Sequence, residues 1–83
     1  MRQDMQPVTI YTKDYCPYCQ AALRLLDRKG VKYERIEVTS AAIQDEMAKK
    51  AGRRTVPQIF IGGKSIGGSD DLHALDAAGK LDA

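Results

Sequence analysis

Residues that could cross-link the chain or bind a metal ion are few. Among 83 residues there are two cysteines, Cys16 and Cys19, and one histidine, His73. A structural zinc site uses four protein ligands, so a site built on this pair would need two more. A disulfide between residues three positions apart closes a loop too short to stabilise a fold by much. The sequence therefore predicts no metal site and no disulfide-stapled scaffold.

Long apolar runs and concentrated charge are also missing. No apolar stretch approaches the ~20 residues of a transmembrane helix, and Met1–Gln6 is polar, unlike a signal peptide. The 13 Lys and Arg residues are scattered and leave a net charge of +2, whereas nucleic-acid binding needs a concentrated basic face. We expect a cytoplasmic protein with neither a membrane nor a nucleic acid as partner. Thiols in that compartment stay reduced, so a cysteine pair there is more often catalytic or metal-binding than structural.

Apolar patterning predicts seven secondary-structure elements in one domain, residues 1–83, because the chain is too short for two cores. β-Branched and aromatic residues mark four predicted strands: Val8–Thr12, Val31–Val38, Gln58–Ile61 and Lys64–Ile66. Capping residues mark three predicted helices: Pro17 to a stop at Gly30, Thr39 or Ser40 to Gly52, and one capped by Ser69. Their order predicts an α/β fold with a four-stranded mixed sheet flanked by three helices.

The paired cysteines stand where the first predicted strand gives way to a helix. A C-x-x-C motif alone is compatible with half a zinc site, a redox pair or chance, and its place at a helix start favours the redox pair. Cys16 falls at the N-cap, where the backbone N–H groups of Tyr18 and Cys19 and the helix dipole favour a thiolate. Lys13 adds positive charge nearby, and Cys19 begins an apolar stripe. We expect Cys16 to be the nucleophile and Cys19 the buried, resolving thiol.

Three segments together resemble the signature blocks of dithiol glutaredoxins. They are Cys16–Cys19, Thr55–Ile61 and Ile66–Leu72, in the order and spacing of that family. The resemblance extends from Val8 to Leu81, and the short chain is similar to bacterial members of the glutaredoxin 3 type. One departure is Ser69, because many members carry a further cysteine at that position.

The resemblance implies a thioredoxin-like fold with a glutathione groove. Lys13 and Tyr18 would border the glycine and cysteine end of glutathione, and the Val56 backbone would pair with its cysteine as an added strand does. The γ-glutamyl end would meet the start of the last helix, whose free N–H groups suit a carboxylate and whose aspartates suit an ammonium group. The residues implied at the groove are Lys13, Tyr18, Gln44, Arg54, Thr55, Val56, Pro57, Gly68, Ser69, Asp70 and Asp71. Gln44 and Arg54 would touch the glycine carboxylate, and Pro57 would be cis.

Simpler interpretations of the same residues remain open at the level of sequence. Ser69, Asp70 and Asp71 could do no more than cap a helix. The Val56–Pro57 bond could be trans, because only about 5–6% of X–Pro bonds in folded proteins are cis. Lys13 and Tyr18 could be ordinary exposed loop residues.

The activity implied by the resemblance is reduction of protein disulfides and of glutathione mixed disulfides by a monomeric enzyme. Glutathione would be the co-substrate, no cofactor would be tightly bound, and glutathione reductase would act only indirectly, through glutathione. The expected substrates are disulfide-bonded or glutathionylated proteins. Two alternatives remain: a dimer that binds an iron–sulfur cluster through one cysteine and one glutathione per chain, and a hydrogen donor served by thioredoxin reductase.

Overall fold

Four strands of the computed structural model form one mixed sheet in the order β2-β1-β3-β4. The strands are β1 (Val8–Thr12), β2 (Glu34–Glu37), β3 (Gln58–Ile61) and β4 (Lys64–Gly67). Strand β1 pairs in parallel with β2 and antiparallel with β3, and β3 pairs antiparallel with β4. The structure describes residues 7–14 and 16–79; the polar segment Met1–Gln6 and the end of the predicted domain lie outside these ranges.

Three helices complete the fold: α1 (Pro17–Arg28), α2 (Ala41–Ala51) and α3 (Ser69–Ala77). Pro17 is the first residue of α1. A backbone N–H at this position has no partner within the helix, so proline loses no hydrogen bond there. The Ser40 hydroxyl caps α2 by accepting the N–H of Ile43 at 3.2 Å, and Gly52 ends that helix in a left-handed conformation with φ of 76°. The predicted α/β fold, with a four-stranded mixed sheet and three helices, is confirmed.

Two apolar clusters pack on opposite faces of the sheet. Successive strand residues point to opposite faces, so neighbours in sequence belong to different clusters. One cluster joins the sheet to α1 and α3, and contains Val8, Ile10, Ala22, Leu25, Leu26, Val31, Ile59 and Leu72. The other joins the sheet to α2, and contains Tyr11, Val38, Met47 and Phe60. The result is a three-layer arrangement, with the sheet between α2 and the α1–α3 pair.

Strand β2 is shorter than the predicted span Val31–Val38. The backbone N–H of Val31 donates to the Leu26 carbonyl at 3.0 Å, and Gly30 adopts a positive φ of 71°. Val31 therefore belongs to the hydrogen-bonded end of α1, and the chain joins the sheet only from Glu34 onward. Its side chain is nevertheless buried in the α1–α3 cluster, which accounts for the strand-like alternation of the sequence.

No helix within residues 7–14 and 16–79 is long and apolar enough to cross a membrane. The same part of the chain contains no cluster of three or more His, Cys, Asp or Glu side chains that could hold a metal ion.

Candidate active site at the end of the sheet

Strand register brings the three signature segments to one end of the sheet. Tyr11 lies opposite Gln58, so the chain leaving β1 toward Cys16 is near the chain entering β3 from Pro57. Gly67, at the end of β4, lies opposite Ile59 and leads directly into α3. Residues far apart in sequence therefore surround the start of α1.

Cys16 occupies the N-cap position of α1, as predicted. Its backbone is extended, with φ of −113° and ψ of 103°, and its Sγ accepts the backbone N–H of Cys19 at 3.2 Å. The side chain is partly exposed. A sulfur in this position accepts a helix N–H group and lies at the positive end of the helix dipole.

Cys19 lies one turn into the same helix, in a different environment. It is only 1% exposed, and this burial, together with its hydrogen bond to Cys16, raises the pKa of its thiol to about 12. A hydrogen bond from the Lys13 backbone and the charge of Arg35 act in the opposite direction on this pKa. In the reduced protein Cys19 therefore keeps its proton at neutral pH.

The segment before β3 lies against Cys16. The Val56–Pro57 peptide bond is cis, and the Cys16 thiol donates to the Val56 carbonyl with an Sγ–O distance of 3.9 Å. The side chain of Gln58, only 1% exposed, holds this segment in place. Its Nε2 donates to the Thr55 carbonyl at 2.9 Å and lies 3.2 Å from Thr55 Oγ1. Gln58 is absent from the predicted site because its contact depends on how the chain turns at the cis bond.

The predicted groove residues line two separate depressions. The first, with a volume of about 160 Å³, is lined by Tyr18, Arg53, Thr55, Val56, Pro57, Gly68, Ser69, Asp70 and Asp71. The second, of about 460 Å³, is lined by Lys13, Gln44 and Arg54 together with residues 38–41. Lys13 therefore lies with Gln44 and Arg54, while Tyr18 lines the first depression. The neighbours Arg54 and Thr55 line one depression each, so the chain between them separates the two.

The second depression is organised by the Arg54 backbone and side chain. Gln44 Nε2 donates to the Arg54 carbonyl at 2.6 Å, and the Arg54 guanidinium lies 3.2 Å from Asp45. Lys13, Gln44 and Arg54, which are far apart in the sequence, therefore line the same depression.

The start of α3 corrects one prediction. The N-cap is Gly68 rather than Ser69, which is the first residue of the helix. The Asp71 carboxylate, inside the helix, accepts the backbone N–H of Gly68 at 3.0 Å. Gly67 has a φ of 107°, and a Cβ there would overlap the Asp71 carboxylate. Glycine is therefore required at this turn.

The two aspartates in the first turn of α3 consequently differ in their contacts. Asp71 is engaged by Gly68, and its Oδ2 lies 3.8 Å from the guanidinium of Arg53. Asp70 is an exposed residue in the first depression. Arg53 is not among the residues that the family resemblance implies at the groove, which include only its neighbour Arg54 from the doublet Arg53-Arg54.

Comparison with known proteins agrees with this architecture. A family model described as glutaredoxin matches residues 8–66. A glutaredoxin of Pseudomonas aeruginosa is 55% identical over 80 residues, which cover 95% of each chain. The chain belongs to the glutaredoxin family. It is a glutathione-dependent thiol–disulfide oxidoreductase.

Three further relatives are similar to this chain in sequence or in structure. Glutaredoxin 3 of Escherichia coli is 54% identical over 79 residues, covering 94% of this chain and 95% of the relative. The crystal structure of a buckwheat glutaredoxin–glutathione complex superposes with a TM-score of 0.83 at 38% identity, covering 95% of this chain and 76% of the other. The solution structure of a Brucella melitensis glutaredoxin gives 0.80 at 47% identity, covering 90% and 83%. These neighbours confirm the thioredoxin-like fold.

We expect the buried Cys19 thiol to make the reduced protein less stable in alkali. Its folded-state pKa of about 12 exceeds the reference value of 9.0, so the folded chain keeps a proton that the unfolded chain releases. The stabilisation is complete below pH 9 and is lost as the pH rises from about 9 to about 12, at up to about 1.4 kcal/mol per pH unit. Denaturant unfolding at a series of alkaline pH values measures this slope.

Cys19→Ala is the matched control for that measurement. Tyr11 and Tyr33, whose pKa values burial also raises, contribute equally to both proteins. The difference between the two curves therefore isolates Cys19. Parallel curves for the wild type and the variant would contradict the assignment of a buried, protonated thiol.

Proposed function

We propose that this enzyme reduces glutathione mixed disulfides and protein disulfides through the redox pair Cys16-Pro17-Tyr18-Cys19. The observation that carries the proposal is the unequal environment of the two thiols. Cys16 is partly exposed and accepts a helix N–H group, while Cys19 is buried with a raised pKa. This asymmetry suits one thiol for attack from solvent and the other for a later intramolecular step.

With a glutathionylated substrate, the Cys16 thiolate attacks the glutathione sulfur. The substrate sulfur leaves with the electron pair of the broken S–S bond and takes up a proton, and glutathione stays on Cys16 as a mixed disulfide. A second glutathione thiolate then attacks that disulfide, releases oxidised glutathione and regenerates Cys16. Cys19 takes no part in this route.

With a protein disulfide, the first attack leaves the substrate joined to Cys16. Cys19 then attacks the Cys16 sulfur, and the second substrate thiol leaves with the electron pair and a proton. The resulting Cys16–Cys19 disulfide is reduced by two glutathione molecules. Both routes consume glutathione as co-substrate, so no tightly bound cofactor is needed.

Glutathione would lie across the two depressions, with its cysteine against the Val56 backbone. The glycine carboxylate would face Lys13, Gln44 and Arg54 in the second depression. The γ-glutamyl carboxylate would face the first N–H groups of α3, around Ser69. Asp70 would bind the ammonium group, because the Asp71 carboxylate already serves Gly68.

Other features of the groove agree with this placement. Tyr18 is 66% exposed at the rim of the first depression, where Thr55 and Pro57 form the opposite side. Gly68 approaches the Pro57 carbonyl so closely that a Cβ would lie 3.2 Å from it. The buckwheat relative, described as a glutaredoxin–glutathione complex, supports glutathione as the ligand.

The further parts of the proposal concern cellular context. Residues 1–83 would act as a single domain and a monomer in the cytoplasm, on disulfide-bonded or glutathionylated proteins. Glutathione reductase would be linked to it only through glutathione. Parallel assays with the glutathione and thioredoxin reductase systems test the electron donor, and the visible spectrum of protein purified without oxygen tests for an iron–sulfur cluster.

We expect the two cysteines to fail in different ways when replaced by serine. Cys16→Ser abolishes turnover of both substrate classes, because no other thiol is accessible to attack. Cys19→Ser largely retains deglutathionylation, since glutathione resolves the intermediate, but loses reduction of protein disulfides that need intramolecular resolution. The measurement is steady-state turnover of a glutathionylated peptide and of a protein disulfide. Activity that persists in Cys16→Ser and disappears in Cys19→Ser would overturn the proposal.

We also expect Asp70 and Asp71 to separate binding from stability. Asp70→Ala removes the partner of the γ-glutamyl ammonium and raises KM for a glutathionylated peptide by about two- to fivefold, as expected for an exposed ion pair. Asp71→Ala removes the cap on Gly68 and lowers the free energy of unfolding by about 0.5–2 kcal/mol. KM and denaturant unfolding, measured on both variants, test the assignment. A KM increase confined to Asp71→Ala would reverse it.

A further inference from the structure

A third cavity adjoins the resolving thiol and does not include Cys16 in its lining. It has a volume of about 220 Å³, and charged side chains from β2, α1 and the β1–α1 connection surround it. The charged and titratable residues that line it are Cys19, Lys13, Asp14, Arg24, Asp27 and Arg35. The glutathione groove described above uses only Lys13 from this set.

Arg35 is held at the wall of this cavity by a buried anchor. Its Nε donates to Thr12 Oγ1 at 2.9 Å, and Thr12, at the end of β1, is 0% exposed. Because the guanidinium is tied at Nε, its charge stays on the side of the sheet where Cys19 lies. The two acids of the cavity have other partners: Asp27 accepts the Tyr33 hydroxyl at 3.0 Å, and Asp14 shares a hydrogen bond with Glu37.

In the proposed protein-disulfide route Cys19 must lose its proton, and this arrangement favours that loss. Once Cys16 is joined to a substrate, its own sulfur is no longer a thiol, and the Cys16 contribution to retaining the Cys19 proton ends. Burial still opposes ionisation of Cys19. The remaining groups that favour the thiolate are the Lys13 backbone N–H and the fixed positive charge of Arg35.

We propose that Arg35, anchored by Thr12 beside the Cys19 cavity, is a positioning residue that promotes attack of Cys19 on the Cys16 mixed disulfide. In that step Cys19 loses its proton and forms a bond to the Cys16 sulfur. The bond between Cys16 and the substrate sulfur breaks, and the leaving thiolate takes the electron pair and a proton. No further reactant is required. The inference rests on the proposed function, because it concerns the dithiol route alone.

The test measures intramolecular resolution directly. Reduced protein is mixed with oxidised glutathione, quenched with acid at intervals, and analysed by mass spectrometry for the glutathionylated and the internally oxidised forms. We expect Arg35→Gln to slow conversion of the first form into the second by about two- to fivefold, the range for an exposed charge. Arg35→Lys retains most of the rate, and Arg28→Gln, an exposed change at the end of α1, leaves it unchanged.

Two further readouts distinguish a charge effect from a structural one. In Arg35→Gln the alkaline rise in the resolution rate moves to higher pH, and the difference from the wild type narrows in high salt because exposed charges are screened. Arg35→Gln leaves deglutathionylation unchanged, both in the wild type and in a Cys19→Ser background, because Arg35 acts through Cys19 and Cys19 takes no part in that route.

Equal resolution rates in the wild type and Arg35→Gln would overturn the role of Arg35 while leaving the proposed function intact. A loss of deglutathionylation in Arg35→Gln would overturn it as well, because that route does not use Cys19. Failure of the wild type itself to form a mixed disulfide on Cys16 would contradict the proposed function instead, so the two failures are distinguishable.

Discussion

The hydrogen bond from the Cys19 backbone N–H to the Cys16 sulfur is the contact on which the chemistry of the site depends. It exists because Pro17 starts α1 immediately after Cys16 and leaves that residue as the N-cap. One turn of helix therefore separates a sulfur at the exposed, positive end of the dipole from a sulfur packed in the interior. The difference in reactivity between the two thiols follows from this single helix start.

The remaining site is placed by the connections at one end of the sheet. The antiparallel pairing of β3 with β1 and β4 sets the Val56–Pro57 segment and the start of α3 on either side of the first depression. Polar contacts then fix each segment. Gln58 fixes Thr55, and Asp71 fixes the turn at Gly68. A groove built from loops thereby gains the rigidity of the elements behind it.

Local patterning predicts the architecture well because the helix and strand signals agree with the packing. The strand Gln58–Ile61 and the helix start at Pro17 lie where the sequence places them. The strand at residues 31–38 is overestimated, since burial of Val31 against α1 produces the same alternation as a strand. The N-cap of α3 is Gly68 rather than Ser69, because the helix begins one residue earlier and the Asp71 carboxylate accepts the Gly68 N–H.

Side-chain roles that depend on tertiary contacts cannot be predicted from the sequence alone. In the Arg53-Arg54 doublet, Arg53 is the residue that faces α3. The turn of the chain before the cis bond decides this. Gln58 and Arg35 look like ordinary strand residues, yet each acts through a partner elsewhere in the fold, Thr55 for one and Thr12 for the other. The family signatures locate the groove, whereas these supporting contacts emerge only from the packing.

The unequal reactivity of the two thiols can be measured without any substrate. The fully reduced protein is treated with a small alkylating agent at neutral pH, and peptide mass spectrometry follows modification of each cysteine with time. The helix-cap explanation predicts that Cys16 is alkylated first and that Cys19 reacts only on unfolding. Alkylation of Cys19 before Cys16, or of both at the same rate, would contradict it.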